Sequence, residues 1–164
     1  MLSQVTKSMC LTFLIAGPGR PDARVLLGRK RTGFGSGKVV GLGGHVEPGE
    51  SVLDAAVRET WEESGFHVIP TEFEDAGVVT FRFPSHPAWD MRVGLFRTTR
   101  WSGHLTASPE LDPEWHPVAA PPWAQMWDDS RIWLPHVLRG ERIDAEITYD
   151  ADDTRVAAVR LSAQ

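Results

Sequence analysis

Residues 52–64 constrain this chain more than any other stretch. Ser51 stands where a helix should start, Asp54 follows as the second half of a capping box, and Gly65 supplies a left-handed stop. The spacing predicts a helix over Val52–Ser64. At 100° per residue, Val52, Ala55 and Ala56 share one face, and the following turns carry that stripe to Glu59, Glu62 and Glu63. Each like-charged pair at i+3 or i+4 costs about 0.2–0.5 kcal/mol even when solvated, and partial burial costs more. A packing face that fills with carboxylates needs a counter-charge. Arg58 reaches Glu62 at i+4, but one guanidinium does not balance three acids. With no Cys framework or paired His nearby, oxygen ligands select a hard cation such as Mg²⁺ or Mn²⁺. A solvated acidic face is the ordinary reading of such a helix; the apolar stripe running into the acids argues against it.

The preceding segment supplies the other half of a site. Gly33, Gly35, Gly37, Gly41, Gly43 and Gly44 punctuate a loop-like basic stretch containing Arg29, Lys30, Arg31 and Lys38. The pair Gly43-Gly44 lets backbone approach a ligand closely, and a carbonyl there could complete an octahedral metal shell.

Elsewhere the pattern alternates strands with two separated helices. Strands are expected at Lys7–Ala16, 23–27, 76–83 and Met91–Thr98, with a hairpin of 142–149 and 154–161 around Asp150 to Asp153. A second helix is expected within 129–138, where Pro135 requires a start not far upstream. The Trp- and Pro-rich region 109–122 carries no regular pattern. This mixture predicts α/β layers around a mixed sheet, and 164 residues fit one domain, 1–164.

Composition narrows the function classes. The formal charge of −5 argues against gripping a nucleic-acid polymer, while a single nucleotide carrying its own metal remains compatible. Cys10 is the only cysteine, so no intrachain disulfide forms, and a reducing cytoplasm is expected. The apolar run from Met9 to Ala16 is too short for a membrane span and lacks a small-residue cleavage pattern after it, so no membrane association is expected. The six histidines show no ligand spacing.

Gly44, then Glu50, then Arg58-Glu59-Thr60-Trp61-Glu62-Glu63-Ser64-Gly65-Phe66 at their fixed spacing resemble the Nudix signature, here residues 44–66. That resemblance implies a Nudix-type α/β/α sandwich and hydrolysis of a nucleoside diphosphate linked to another group. It implies a divalent metal held by Glu59 and Glu63 with help from Glu62 and the Gly43 carbonyl. Arg58 and Glu50 resemble the salt-bridge and loop-anchoring positions. Such an ion would lower the pKa of a bound water and orient it in line, and Glu62 is the candidate for assisting its deprotonation.

Outside the signature, residues 24–38, Met126 to Ser130 and Trp133-Leu134-Pro135 resemble the branch of oxidised purine nucleoside triphosphatases, which act on nucleotides such as 8-oxo-dGTP. By that resemblance Lys30 meets phosphates or the site entrance, and Phe34, Phe81, Met91 and Trp127 line a base pocket, with a place in the core as the competing role of Phe81 and Met91. Asp128 or Asp129 hydrogen-bonds the purine edge, and Glu110 is a further metal-associated acid. For either aspartate, capping the second helix is the competing role. Val40 stands where the branch carries Asn, and the Pro between Trp and Asp is missing, so Asp129 matches one branch acid and Ser130 falls on the other. The resemblance therefore implies release of a nucleoside monophosphate and pyrophosphate by a monomer or homodimer. ADP-ribose, dinucleotides or unmodified dNTPs are alternative substrates, and a nucleotide-sensing module without catalysis is a third class that the retained acids disfavour.

Overall fold

A computed structural model describes residues 6–164; residues 1–5, the start of the expected domain, lie outside the described residues. In chain order the elements are β1 Lys7–Ala16, β2 Arg24–Lys30, β3 Val39–Val40, β4 Leu42–His45, α1 Val52–Ser64, β5 Phe66–His67, β6 Glu74–Arg82, β7 Met91–Thr98, β8 Ser102–Gly103, β9 Leu111–Pro117, α2 Ser130–Leu138, β10 Ile143–Tyr149 and β11 Val156–Ala163. The main sheet is mixed, in the order β11-β10-β6-β7-β1-β2-β3, with β4 also on β1 and β9 also on β2. β1 is its hinge. It runs parallel to β7 along most of its length, takes β4 antiparallel beside its first half, and meets β2 only at Ile15 and Ala16.

The two faces of β1 follow from its period-2 alternation. Phe13 and Ile15, with Val79, Phe81, Val93 and Leu95, pack under Trp133, Leu134 and Val137 of α2. Cys10 faces the other way and packs with Ala55 and Ala56 of α1. Helices therefore cover opposite faces of one sheet, which is the α/β/α arrangement.

α1 forms where its caps place it. The Ser51 side chain accepts from the Asp54 N–H, and the Asp54 carboxylate accepts from the Ser51 N–H. Gly65 closes the helix at φ 75°, and a Cβ there would lie 2.5 Å from the His104 carbonyl oxygen. At the other end Gly94 makes room, since a Cβ on it would sit 2.6 Å from Val52 Cγ1.

Three sequence expectations change. Region 109–122 contains β9, which pairs with β2 from Arg24 to Lys30. Its prolines are compatible with that place because its only strand partner among the described residues is β2, leaving one edge free of ladder demands. The second strand starts at Arg24 and runs on to Lys30, past the expected end at Leu27. In α2 neither aspartate caps: Asp129 occupies the cap position in αR conformation without a side-chain cap bond.

Candidate active site

The acids of α1 divide once the helix is docked. Glu59 and Glu63 are 8% and 6% exposed, on the face that carries Ala55 and Ala56, whereas Glu62 is exposed. Glu63, four residues on from Glu59, is rotated about 40° one way and Glu62, three residues on, about 60° the other, so Glu62 stands about 100° from Glu63. The expectation that all three carboxylates crowd the packed face is corrected to two buried and one exposed.

β4 closes over the buried pair. Gly43 and Gly44 lie opposite Leu11 and Cys10 of β1. Gly43 has φ 155°, and a Cβ on it would lie 1.9 Å from the Cys10 carbonyl oxygen. A Cβ on Gly44 would lie 2.6 Å from Glu59 Oε1. The Gly43 N–H donates to Glu63 Oε2 at 3.2 Å. Both glycines are thus required by contact.

Arg58 fixes the surrounding charges. Its Nε and Nη2 donate to the two oxygens of Glu50, each at 2.8 Å, forming a forked pair. Nη1 donates to Glu59 at 3.0 Å and Glu62 at 3.3 Å, and Nη2 also donates to the His45 carbonyl at 3.0 Å. Glu50 accepts the Glu47 N–H, so one ion pair ties the loop before α1 to the helix. The Arg58 hydrogen bonds hold the Glu50 carboxyl down at about 2.

Glu63 is pushed the other way, to about 8, by burial, with the Gly43 N–H opposing and Glu59 adding repulsion. Burial likewise raises Glu59 against the pull of Arg58. Two carboxylates that burial drives toward neutrality, under a glycine cradle and with oxygen donors only, fit a hard divalent cation. Among the described residues no three acidic, His or Cys side chains already converge as a closed cage; Glu59 is turned to Arg58 and Glu63 to the Gly43 N–H.

This wall opens on a cavity of about 560 Å³. Lys30, Phe34, Phe81, Met91, Trp127, Asp129 and Glu110 all line it, together with Gly43, Arg58, Glu59, Glu62 and Glu63. Phe34 and Trp127 lie face to face, with centroids 5.3 Å apart at 14°, and Lys38 Nζ stands 5.3 Å from the Trp127 centroid. Phe81 is also a core residue, so its two candidate roles coincide.

Asp128 is not brought to the cavity. Its carboxylate accepts from the Val156 N–H at 2.8 Å and from Arg131 Nε at 3.1 Å, which braces α2 against β11. Of the two aspartates expected as candidates for the base edge, only Asp129 lines the cavity. Asp129 is 4% exposed, accepting from Trp133 Nε1 at 2.6 Å and from the Tyr149 hydroxyl. Tyr149, Phe83, Met126 and Met9 also line the cavity and were missed from sequence. Alternation along β1 signals Met9; Tyr149 closes a strand far from any motif, and only its type marks it.

A carboxylate helix under a glycine strand, facing an aromatic cavity with one buried acid, defines a metal-assisted hydrolase of nucleotide-sized substrates. The chain belongs to the NUDIX family: the NUDIX domain model matches residues 11–137. It is similar to the oxidized purine nucleoside triphosphate hydrolase of Danio rerio, at 35% identity over 92% of either chain. The Mus musculus protein of the same name is 36% identical over 80% of this chain and 82% of its own. Among solved structures, the MutT protein from Bacillus halodurans superposes with a TM-score of 0.80, at 25% identity, covering 95% of this chain and 97% of the other. The chain is accordingly a Nudix hydrolase, of a family that uses divalent metal ions and acts on small nucleotide substrates.

Proposed function

We propose that this protein is a Mg²⁺-dependent nucleoside triphosphate diphosphatase that releases nucleoside monophosphate and pyrophosphate, with oxidised purine nucleotides such as 8-oxo-dGTP as its substrates. The observation that carries this reading is the shared cavity: buried Glu59 and Glu63 line the same space as Asp129, Trp127 and Phe34. The two relatives named for oxidised purine triphosphates match along most of the chain.

In this reading Glu59, Glu63 and the Gly43 carbonyl would hold the ion, with help from Glu62 and Glu110. Bound there, the ion neutralises the diphosphate and acidifies a water. Arg58 positions Glu59 and Glu62 while Glu50 anchors Arg58. Glu62, exposed at the rim, takes the proton of the attacking water. Water oxygen bonds to phosphorus as the phosphoanhydride bridge breaks, and pyrophosphate leaves with the bond's electron pair. Lys30 meets the phosphates, and Phe34, Phe81, Met91 and Trp127 enclose the base. Mn²⁺ substitutes for Mg²⁺ because both accept oxygen ligands. One domain acting in the cytoplasm is consistent with a buried, unpaired Cys10 and with the absence, among the described residues, of a helix long and apolar enough to cross a membrane.

The test is a nucleotide panel of 8-oxo-dGTP, 2-oxo-dATP, dGTP, ADP-ribose and dinucleotides, with Mg²⁺ and products identified by mass. Pyrophosphate and monophosphate from the oxidised purines, with the highest kcat/KM, are expected. Turnover of ADP-ribose or dinucleotides alone would overturn the triphosphate reading, and no turnover of any member would overturn catalysis.

A further inference from the structure

The proposed chemistry leaves the buried hydroxyl of Tyr149, which lines the cavity, without a task. Tyr149 is the only tyrosine in the chain and is 1% exposed. Its ring is fixed by stacking on Phe83, with centroids 5.0 Å apart at 11°, and by an edge contact to Trp127 at 6.1 Å. Its hydroxyl accepts the Asp129 backbone N–H at 3.3 Å and donates to Asp129 Oδ1. Because the N–H fills an acceptor position on the phenol oxygen, the phenol proton is left to point at the carboxylate. Trp133 Nε1 takes the other oxygen, Oδ2.

A carboxylate has about four lone-pair positions. Protein donors fill one on each oxygen of Asp129, which leaves an acceptor on both oxygens for a ligand in the cavity it lines. Such a pair of acceptors complements a nucleobase edge with two adjacent N–H donors, as guanine-type bases present. An adenine-type edge sets a ring lone pair against it. A protonated Asp129 would reverse part of this preference by becoming a donor.

We propose that Tyr149 is a positioning and specificity residue, its hydroxyl keeping Asp129 an acceptor-only carboxylate so that the cavity selects bases with two adjacent N–H donors. This rests on the reading of the cavity as a nucleotide site. Burial and the adjacent Asp128 favour the neutral acid at Asp129, and the hydrogen bonds from Tyr149 and Trp133 oppose them. The other titratable groups lining the cavity are Lys7 and Cys10 of β1, Lys30 of β2, His45 of β4, Glu47 in the loop before α1, Arg58, Glu59, Glu62 and Glu63 of α1, and Glu110. None of these hydrogen-bonds Asp129.

Because Tyr149 is unique, growth on 3-fluorotyrosine alters one hydroxyl in the whole protein, making it a stronger donor without changing its shape. The experiment compares wild type, Tyr149→Phe and the fluorotyrosine protein through pH profiles of kcat and KM with a guanine-type and an adenine-type triphosphate. In Tyr149→Phe, KM for the guanine-type substrate should rise about tenfold with kcat within about twofold, as for loss of a bond to a charged group. The acidic limb of 1/KM should move up, and preference should move toward adenine. Fluorotyrosine should move the limb down. A Tyr149→Phe protein that loses thermal stability but keeps its limb and base preference overturns the proposal. So does a limb that fluorotyrosine leaves in place or moves upward, a result available even if Tyr149→Phe does not fold. If wild type hydrolyses neither triphosphate, the nucleotide reading itself falls, and the role of Tyr149 with it.

Discussion

Glu63 is expensive for the fold and, in the proposed reading, holds the ion on which the chemistry depends. Its carboxyl ionises near 8 in the folded chain because it is buried, against 4.5 ordinarily. For an acid raised on folding, the folded state binds the extra proton between those two values, so stability is greatest below the lower one and is lost as pH rises toward the higher. Without divalent ions, the Tm of the wild type should fall between about pH 5 and 8, and Glu63→Gln should flatten that fall. Added Mg²⁺ should restore the wild type and not the variant, read by thermal melts. The same substitution should lower kcat by more than the roughly 100-fold carried by outer partners of a metal site, with the circular dichroism spectrum unchanged. Equal activity under saturating Mg²⁺ would take Glu63 out of the metal shell. Asp129→Asn should change nucleotide preference more than overall rate, because an amide replaces one of the two ligand-facing acceptors with a donor; a loss of thermal stability alone would assign Asp129 to packing. The acids of α1 were legible as a group because their spacing is a property of the chain. The separation of Glu62 from the buried pair was not, since it depends on how the helix is rotated against β4.

At the scale of the element, α1 was readable to its ends. Both caps are local, made within three or four residues of the helix, and local signals survive in sequence. Ser51→Ala should cost about 1 kcal/mol, and so a few degrees of Tm, while leaving kcat/KM nearly intact. Gly65→Ala should cost more, since it adds left-handed strain to the close approach of the His104 carbonyl; both costs are measured by denaturant unfolding. β9 was not readable because Pro113 and Pro117 contradict a strand unless its free edge is known, and that edge exists only once β2 has paired with it. Asp128 was misplaced for a related reason. Its partner, the Val156 N–H, comes from a hairpin that no local pattern ties to α2.

Across the whole molecule, the family match ends at residue 137, yet the sheet continues through β10 and β11. β10 runs parallel to β6 from Ile143 to Thr148 and delivers Tyr149 to the lining of the cavity. A chain cut after Gly140 would bare the edge of β6 beside Val79 and Phe81, both core residues. It should elute as aggregate in size-exclusion chromatography, and a stable, monomeric, active fragment would show that the last hairpin is dispensable. The layered architecture was foreseeable from alternating strands and two separated helices. The pairing of distant strands around one cavity was not, because nothing in a linear pattern states which β-runs become neighbours.

The crowding at Gly43 and Gly44 gives the two sides of the cavity different futures under mutation. On the glycine side the Cys10 carbonyl fills the space a methyl group would need at Gly43 and the Glu59 carboxylate fills it at Gly44, so variation there is met by collapse of the strand rather than by altered taste. The aromatic side is built from replaceable side chains. In the proposed reading, substitutions on that side change which base is admitted while the hydrolytic step stays fixed.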